Sequence, residues 1–102
     1  MSTLHTVNKS PYANSTLTSC LKICTSEDGI LLLEDGVFGA VQASQDMATI
    51  DRLIQRGVRV FVLINDVKAR GLEEKISPKI IPVDYDTFVQ LTVEYRRVQS
   101  WY

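Results

Sequence analysis

Ile30-Leu31-Leu32-Leu33-Glu34-Asp35-Gly36 is the stretch that decides the fold. Four consecutive apolar side chains leave no polar face, so the run reads as a strand buried on both sides, ended by an acidic turn. Strands of that kind belong to mostly parallel sheets with helices packed above and below. The segments on either side must then supply alternating helices and strands.

Downstream they do. Asp35 can cap a short helix through Val37, Phe38, Ala40 and Val41. Met47, Ile50, Leu53 and Ile54 recur on one helical face that ends at Gly57. Val58 to Ile64 is rich in β-branched and aromatic residues and reads as a strand. Asn65-Asp66 ends it and can cap a short helix from Val67 to Arg70, stopped by Gly71. Ile80-Ile81-Pro82-Val83 is a fourth strand, which Pro82 restricts to an edge or terminal position because it cannot donate a ladder bond. Asp84 or Asp86 then caps a helix carrying Phe88, Val89, Leu91, Thr92 and Tyr95, and Ser100-Trp101-Tyr102 closes the sequence.

Upstream, Ser26-Glu27-Asp28-Gly29 breaks the pattern. Before it, Thr16 to Cys24 reads as a helix with Ser15 or Thr16 as N-cap and Leu17, Leu21 and Cys24 along one face. Leu4 to Val7 is a short strand ended by Asn8-Lys9-Ser10-Pro11. The expected fold over residues 1–102 is one α/β domain of three layers. Its mostly parallel sheet has four to five strands, with helices on both faces. In such sheets sites gather beyond the carboxyl ends of the strands. Those ends carry Asn8-Lys9-Ser10, Glu34-Asp35-Gly36, Asn65-Asp66 and Asp84-Tyr85-Asp86, residues equally suited to turns and caps.

Composition removes several function classes. Eleven basic and twelve acidic residues leave a formal net charge of −1, so no electrostatic surplus exists for a phosphate backbone and direct nucleic-acid binding is not expected. The longest apolar runs are far too short to span a bilayer. The first residues have neither the basic nor the apolar region of a secretory signal, and the expected location is cytoplasmic. The nucleotide-binding glycine loops are missing. One histidine and two cysteines fall short of the four ligands a zinc site usually takes, and no metal or organic cofactor is expected.

Thiol chemistry remains. In a reducing compartment Cys20 and Cys24 are expected to be free thiols. At about 100° per residue Cys24 falls near the centre of the helical stripe and Cys20 about 60° from it. Cys24 is therefore expected to be core, and Cys20 a thiol at the solvent margin. His5, inside the first strand, is expected to be structural, although its strand could bring an imidazole near Cys20.

The order of short motifs adds a resemblance. Leu4-His5-Thr6-Val7-Asn8-Lys9-Ser10-Pro11, Leu31-Leu32-Leu33-Glu34-Asp35-Gly36-Val37, Ala69-Arg70-Gly71-Leu72, Val83-Asp84-Tyr85 and Val98-Gln99-Ser100-Trp101 resemble, in order, the DsrH/TusB family of sulfur-relay proteins. The resemblance implies a DsrEFH-like domain with a flavodoxin-like layout, and a subunit of a sulfurtransferase complex, a heterohexamer with DsrE/TusD-like and DsrF/TusC-like subunits. That complex hands persulfide sulfur to a DsrC/TusE-like acceptor; Cys20 points to the DsrH branch and sulfur oxidation, with a TusB-type role in tRNA 2-thiouridine synthesis as the alternative. Ser19-Cys20-Leu21-Lys22 resembles the cysteine-bearing helix of the DsrH branch, which makes Cys20 the candidate persulfide carrier. The principal cysteine of such a complex lies on the DsrE/TusD-like subunit, leaving Cys20 auxiliary and a purely structural role as the alternative. Phe38 and Trp101 are candidate partner-facing residues, since aromatic side chains are enriched in interface cores.

Overall fold

The computed structural model describes residues 2–102. Five strands form a single all-parallel sheet: β1 (Thr3–Val7), β2 (Gly29–Leu32), β3 (Arg59–Leu63), β4 (Ile81–Val83) and β5 (Arg97–Trp101), in the spatial order β4-β3-β2-β1-β5. The connecting helices are α1 (Thr16–Ile23), α2 (Met47–Gln55), α3 (Ile64–Ala69) and α4 (Tyr85–Glu94), and a 3-10 segment, Glu34–Ala40, follows β2.

The run that decided the fold behaves as expected. All four residues of β2 are buried, and the two faces of the sheet have separate cores. Ile30 and Leu32 pack with Val7, Val60 and Val62 beneath α1, α2, α3 and the 3-10 segment. Leu31 packs with Leu4, Phe61, Leu63 and Val83 beneath Leu91 and Tyr95, at the end of α4. Handedness explains the unequal layers. The first three crossovers step across the sheet in one direction, so right-handed connections place all of their helices on one face. The last crossover runs back past β1 and must lie on the other face. There α4 stands alone, and its Tyr85, Val89 and Val93 are exposed.

Several boundaries differ from expectation for local reasons. The 3-10 segment begins at Glu34, with Leu33 in the N-cap position and no side-chain cap, so Asp35 does not cap it. Asp35 instead accepts a two-pronged bond from Arg70, at 3.1 Å from Nε and 2.9 Å from Nη2. Asn65 and Asp66 lie inside α3 rather than before it, and Asp66 accepts the Glu34 N–H at 2.6 Å. Ser15 sits at the N-cap of α1 without a side-chain cap bond. Asp84 does cap α4, accepting the Thr87 N–H at 2.8 Å. Gly57 and Gly71 end their helices with positive φ, the conformation for which glycine carries no steric cost. Pro82 lies in the edge strand β4.

The closing residues form the strand β5, which no pattern in the sequence marks off. It pairs with β1 from Thr3↔Arg97 to Val7↔Trp101, yet four of its five residues are exposed. Its register with β1 therefore defines it, rather than any apolar pattern of its own.

Gly36 seats the 3-10 segment against the end of β1, where a Cβ would collide with the Val7 carbonyl oxygen, a backbone atom that cannot rotate away. Gly36→Ala is expected to destabilise the fold by about 1–3 kcal/mol, read as a lower denaturation midpoint with an unchanged slope. An unchanged midpoint would show that the close approach is absent.

Candidate functional site

The alternation of β1 turns Thr3, His5 and Val7 toward α1, and the alternation of β5 turns Gln99 and Trp101 to the same side through the β1–β5 register. α1 crosses above them, and the turn Thr25–Asp28 returns the chain to the start of β2. His5, Asp28, Trp101, Cys20 and Cys24 meet here. The cluster lies over the amino-terminal half of the sheet, whereas the carboxyl-end rim was the expected place for a site. The rim's Asp35, Asp66 and Asp84 are occupied with the turn and cap bonds described above.

Asp28 is the anchor. Its Oδ1 accepts the Thr3 N–H at 3.0 Å, and its Oδ2 accepts the Thr25 N–H at 3.1 Å and lies 2.9 Å from His5 Nε2. Burial opposes its charge, but the bonds from His5, Thr25 and Thr3 prevail and hold the carboxyl below its ordinary value. Trp101 Nε1 donates to His5 Nδ1 at 3.1 Å. Since an indole nitrogen can only donate, Nδ1 must accept, and the proton of neutral His5 sits on Nε2, facing Asp28. Burial works against a second proton on the ring, yet Cys24 and Asp28 outweigh it and raise the His5 pKa.

The two cysteines exchange the places expected of them. Cys20 is 0% exposed and belongs to the helix-side core, while Cys24 is partly exposed. The cause is the end of α1. The helix stops at Ile23, and Cys24 is its C-cap with extended backbone, φ −67° and ψ 138°, so the 100° step does not reach it. Cys20 lies within the buried stripe with Leu17 and Leu21, because such a stripe is wide enough to take in positions i, i+3 and i+4.

The sulfur atoms lie 4.0 Å apart, and Cys24 Sγ donates to the Cys20 carbonyl oxygen at 3.3 Å. As a thiolate, Cys24 instead accepts from the Cys20 S–H. That bond and the nearby His5 outweigh burial and lower the Cys24 pKa to about 6. The same bond, together with burial, pushes the Cys20 thiol up. A partly exposed cysteine with a lowered pKa thus stands against a buried one with a raised pKa. Depressed thiol pKa values beside a histidine mark reactive cysteines.

An open cleft of about 550 Å³ adjoins the cluster, lined by Thr3, His5, Ile23, Thr25, Asp28, Arg97, Val98, Gln99 and Trp101. His5, Cys20 and Cys24 also bring three possible metal-ligating atoms within 4.8 Å of one another. Both ring nitrogens of His5 are already bonded, so an ion there would have to displace Trp101 or Asp28. Trp101, offered by sequence as partner-facing, spends its polar edge on His5. Phe38 is partly buried against the core, edge-on to Tyr12 with centroids 6.3 Å apart. Among the described residues, no helix is long and apolar enough to cross a membrane.

Comparison with known proteins fits this architecture. The family profile described as "DsrH like protein" matches residues 9–98. Protein TusB of Yersinia pestis (strain Pestoides F) is 41% identical over 98 residues, covering 96% of this chain and 99% of that protein. The chain belongs to the DsrH/TusB family. Protein TusB of Yersinia pseudotuberculosis (serotype O:1b, strain IP 31758) matches to the same degree. The Escherichia coli ychN protein shares the fold with a TM-score of 0.83 at 16% identity, over 98% of this chain and 99% of that one. The Methanobacterium thermoautotrophicum protein MTH1491 shares it with a TM-score of 0.77 at 14% identity, over 96% of this chain and 97% of that one.

Alkylation at Cys24 should rise through an inflection near pH 6, with Cys20 modified only after unfolding, as mapped on peptides. His5→Asn should move that inflection up only part of the way to the ordinary thiol value, because the bond from Cys20 remains. Equal labelling of both cysteines in the folded chain would contradict the assignment. Asp28, with its lowered pKa, contributes stability that is complete above about pH 4 and is lost as pH falls through the folded value. Asp28→Asn should therefore flatten the acid limb of a stability–pH curve.

Proposed function

We propose that this chain is a subunit of a sulfur-relay complex in which its cysteine pair accepts persulfide sulfur, with Cys24 as the receiving atom. The observation that carries the reading is the thiol of Cys24 set between the sealed Cys20 and the His5–Asp28 couple, beside an open cleft, in a DsrH/TusB-family chain. Persulfide transfer is thiol exchange. A thiolate attacks the outer sulfur of a donor persulfide, and a new persulfide forms as the donor thiolate leaves. Such a step needs thiolate and access, and the partial exposure and lowered pKa of Cys24 support it for both. Cys20, the candidate by motif, lacks access in this conformation and stands directly behind Cys24.

The partners that fit this reading are DsrE/TusD-like and DsrF/TusC-like subunits and a DsrC/TusE-like acceptor. The relatives named TusB favour the branch that serves tRNA 2-thiouridine synthesis over sulfur oxidation. The partly exposed Trp101 beside the cleft and Phe38 beside Tyr12 are the aromatic residues we assign to partner contact. The exposed Tyr85, Val89 and Val93 of α4 offer a second apolar surface of the kind that marks an interface.

Treatment of the reduced protein with a low-molecular-weight persulfide donor should add the mass of one sulfur atom at Cys24. Cys24→Ser should abolish the adduct, and His5→Asn should slow its formation at neutral pH. A chain that neither gains sulfur nor releases sulfide from the donor, alone and assembled with its partner subunits, and a Cys20→Ala variant that also gains none, would reduce its role to a structural one.

A further inference from the structure

The accessible sulfur has a second thiol directly behind it. Cys20 is fully buried, so it cannot meet a sulfur carrier, an alkylating agent or another chain. Cys24 Sγ lies 4.0 Å from it. The contact is directed, because the Cys24 thiol turns back onto the carbonyl of residue 20 itself, at 3.3 Å. Cys24 has also left the helix. Its backbone is extended, so its side chain is freed from the parallel projection that prevents two helical cysteines from bridging. A bond of about 2 Å requires the sulfurs to close from 4.0 Å, and Cys24, at the end of the helix, is the residue placed to move.

The geometry points to Cys20 as the resolving thiol of Cys24: it attacks Cys24 Sγ whenever that atom carries a leaving group, and closes an intramolecular disulfide. Two classes of modified Cys24 satisfy the requirement. If Cys24 holds a persulfide, the outer sulfur replaces the Cys24 thiolate as acceptor of the Cys20 proton, and the Cys20 thiolate so formed bonds to Cys24 Sγ as the bond from that atom to the outer sulfur breaks. The outer sulfur departs with the electron pair and, carrying the Cys20 proton, leaves as hydrosulfide. The two cysteine sulfurs are oxidised together by two electrons, which the departing sulfur takes up. If peroxide has converted Cys24 to a sulfenic acid, releasing one water, the same attack expels hydroxide. The hydroxide takes the Cys20 proton and leaves as a second water.

The persulfide branch rests on the proposed sulfur-accepting role. The peroxide branch does not. In both, Cys20 limits how long an uncollected adduct survives on Cys24, and a dithiol reductant restores the pair.

The test uses the reduced full-length chain, followed by intact-mass and peptide mass spectrometry under two treatments. With equimolar hydrogen peroxide the wild type should lose two hydrogen masses as a monomer and yield a cross-linked Cys20–Cys24 peptide that dithiothreitol reopens. Cys20→Ala and Cys20→Ser should instead hold a sulfenic acid on Cys24 that a dimedone probe captures. Two substitutions are used so that a folding defect in one does not decide the result. With a persulfide donor, the wild-type adduct should decay to the disulfide with release of sulfide, while the adduct on Cys20→Ala persists.

A disulfide under peroxide with no sulfur uptake from the donor supports the resolving role and defeats the sulfur-accepting reading. A wild-type sulfenic acid that is captured as fully as in Cys20→Ala, or a disulfide formed only between two chains, overturns the resolving role. A wild-type persulfide as long-lived as that of Cys20→Ala overturns it for sulfur transfer.

Discussion

The carboxylate of Asp28 is the constraint on which the site depends. It holds the first backbone amide of β1, the amide of Thr25 after α1 and the imidazole of His5 at once. Charge-assisted bonds of this kind are the stronger ones in proteins, and their geometry matters as much as their energy. The fixed turn sets where the chain leaves α1, so Cys24 emerges as an extended C-cap rather than as another residue of the helix. The fixed imidazole faces Asp28 on one side and the Trp101 indole on the other. The ends of β1, α1 and β5 are thereby tied to one acidic side chain.

Two similar thiols acquire opposite characters from that frame. Cys20 lies in the core, where burial favours its neutral form, and it serves its neighbour as a donor. Cys24 gathers that donor and a nearby imidazole, and lies next to residues that line an open cleft. Neither property comes from the α1 dipole, which would oppose a thiolate at the helix's carboxyl end. The side-chain environment decides. A sulfur held this way suits exchange with an incoming persulfide, where attack depends on thiolate fraction and access.

Most of the fold was legible in the sequence because its strongest signals are local. The uninterrupted apolar run at 30–33 demands two covered faces, and Val58–Ile64 demands the same. From those two strands the alternating helices and the parallel order follow. β5 was not legible, because Arg97, Val98, Gln99 and Ser100 are exposed and the strand exists through its ladder with β1. The site was legible only in its parts. Both cysteines and His5 stand out in the sequence, but Asp28 reads as a turn residue, since its partners His5 and Thr3 lie 23 and 25 residues away. The cysteine order was inverted because helical periodicity was extended one residue beyond the end of α1. A boundary shift of one position is harmless to a fold and decisive for which sulfur meets solvent.

His5 is the only histidine in the chain, so its ring can be observed without ambiguity. Long-range nitrogen–proton NMR correlations of the imidazole, followed through a pH titration, test the arrangement most directly. The account predicts a neutral ring with its proton on Nε2, and a Cys24→Ser variant whose His5 titrates at lower pH than in the wild type, because the thiolate that favours the imidazolium is gone. A neutral ring protonated on Nδ1, or a His5 titration indifferent to Cys24, would contradict it.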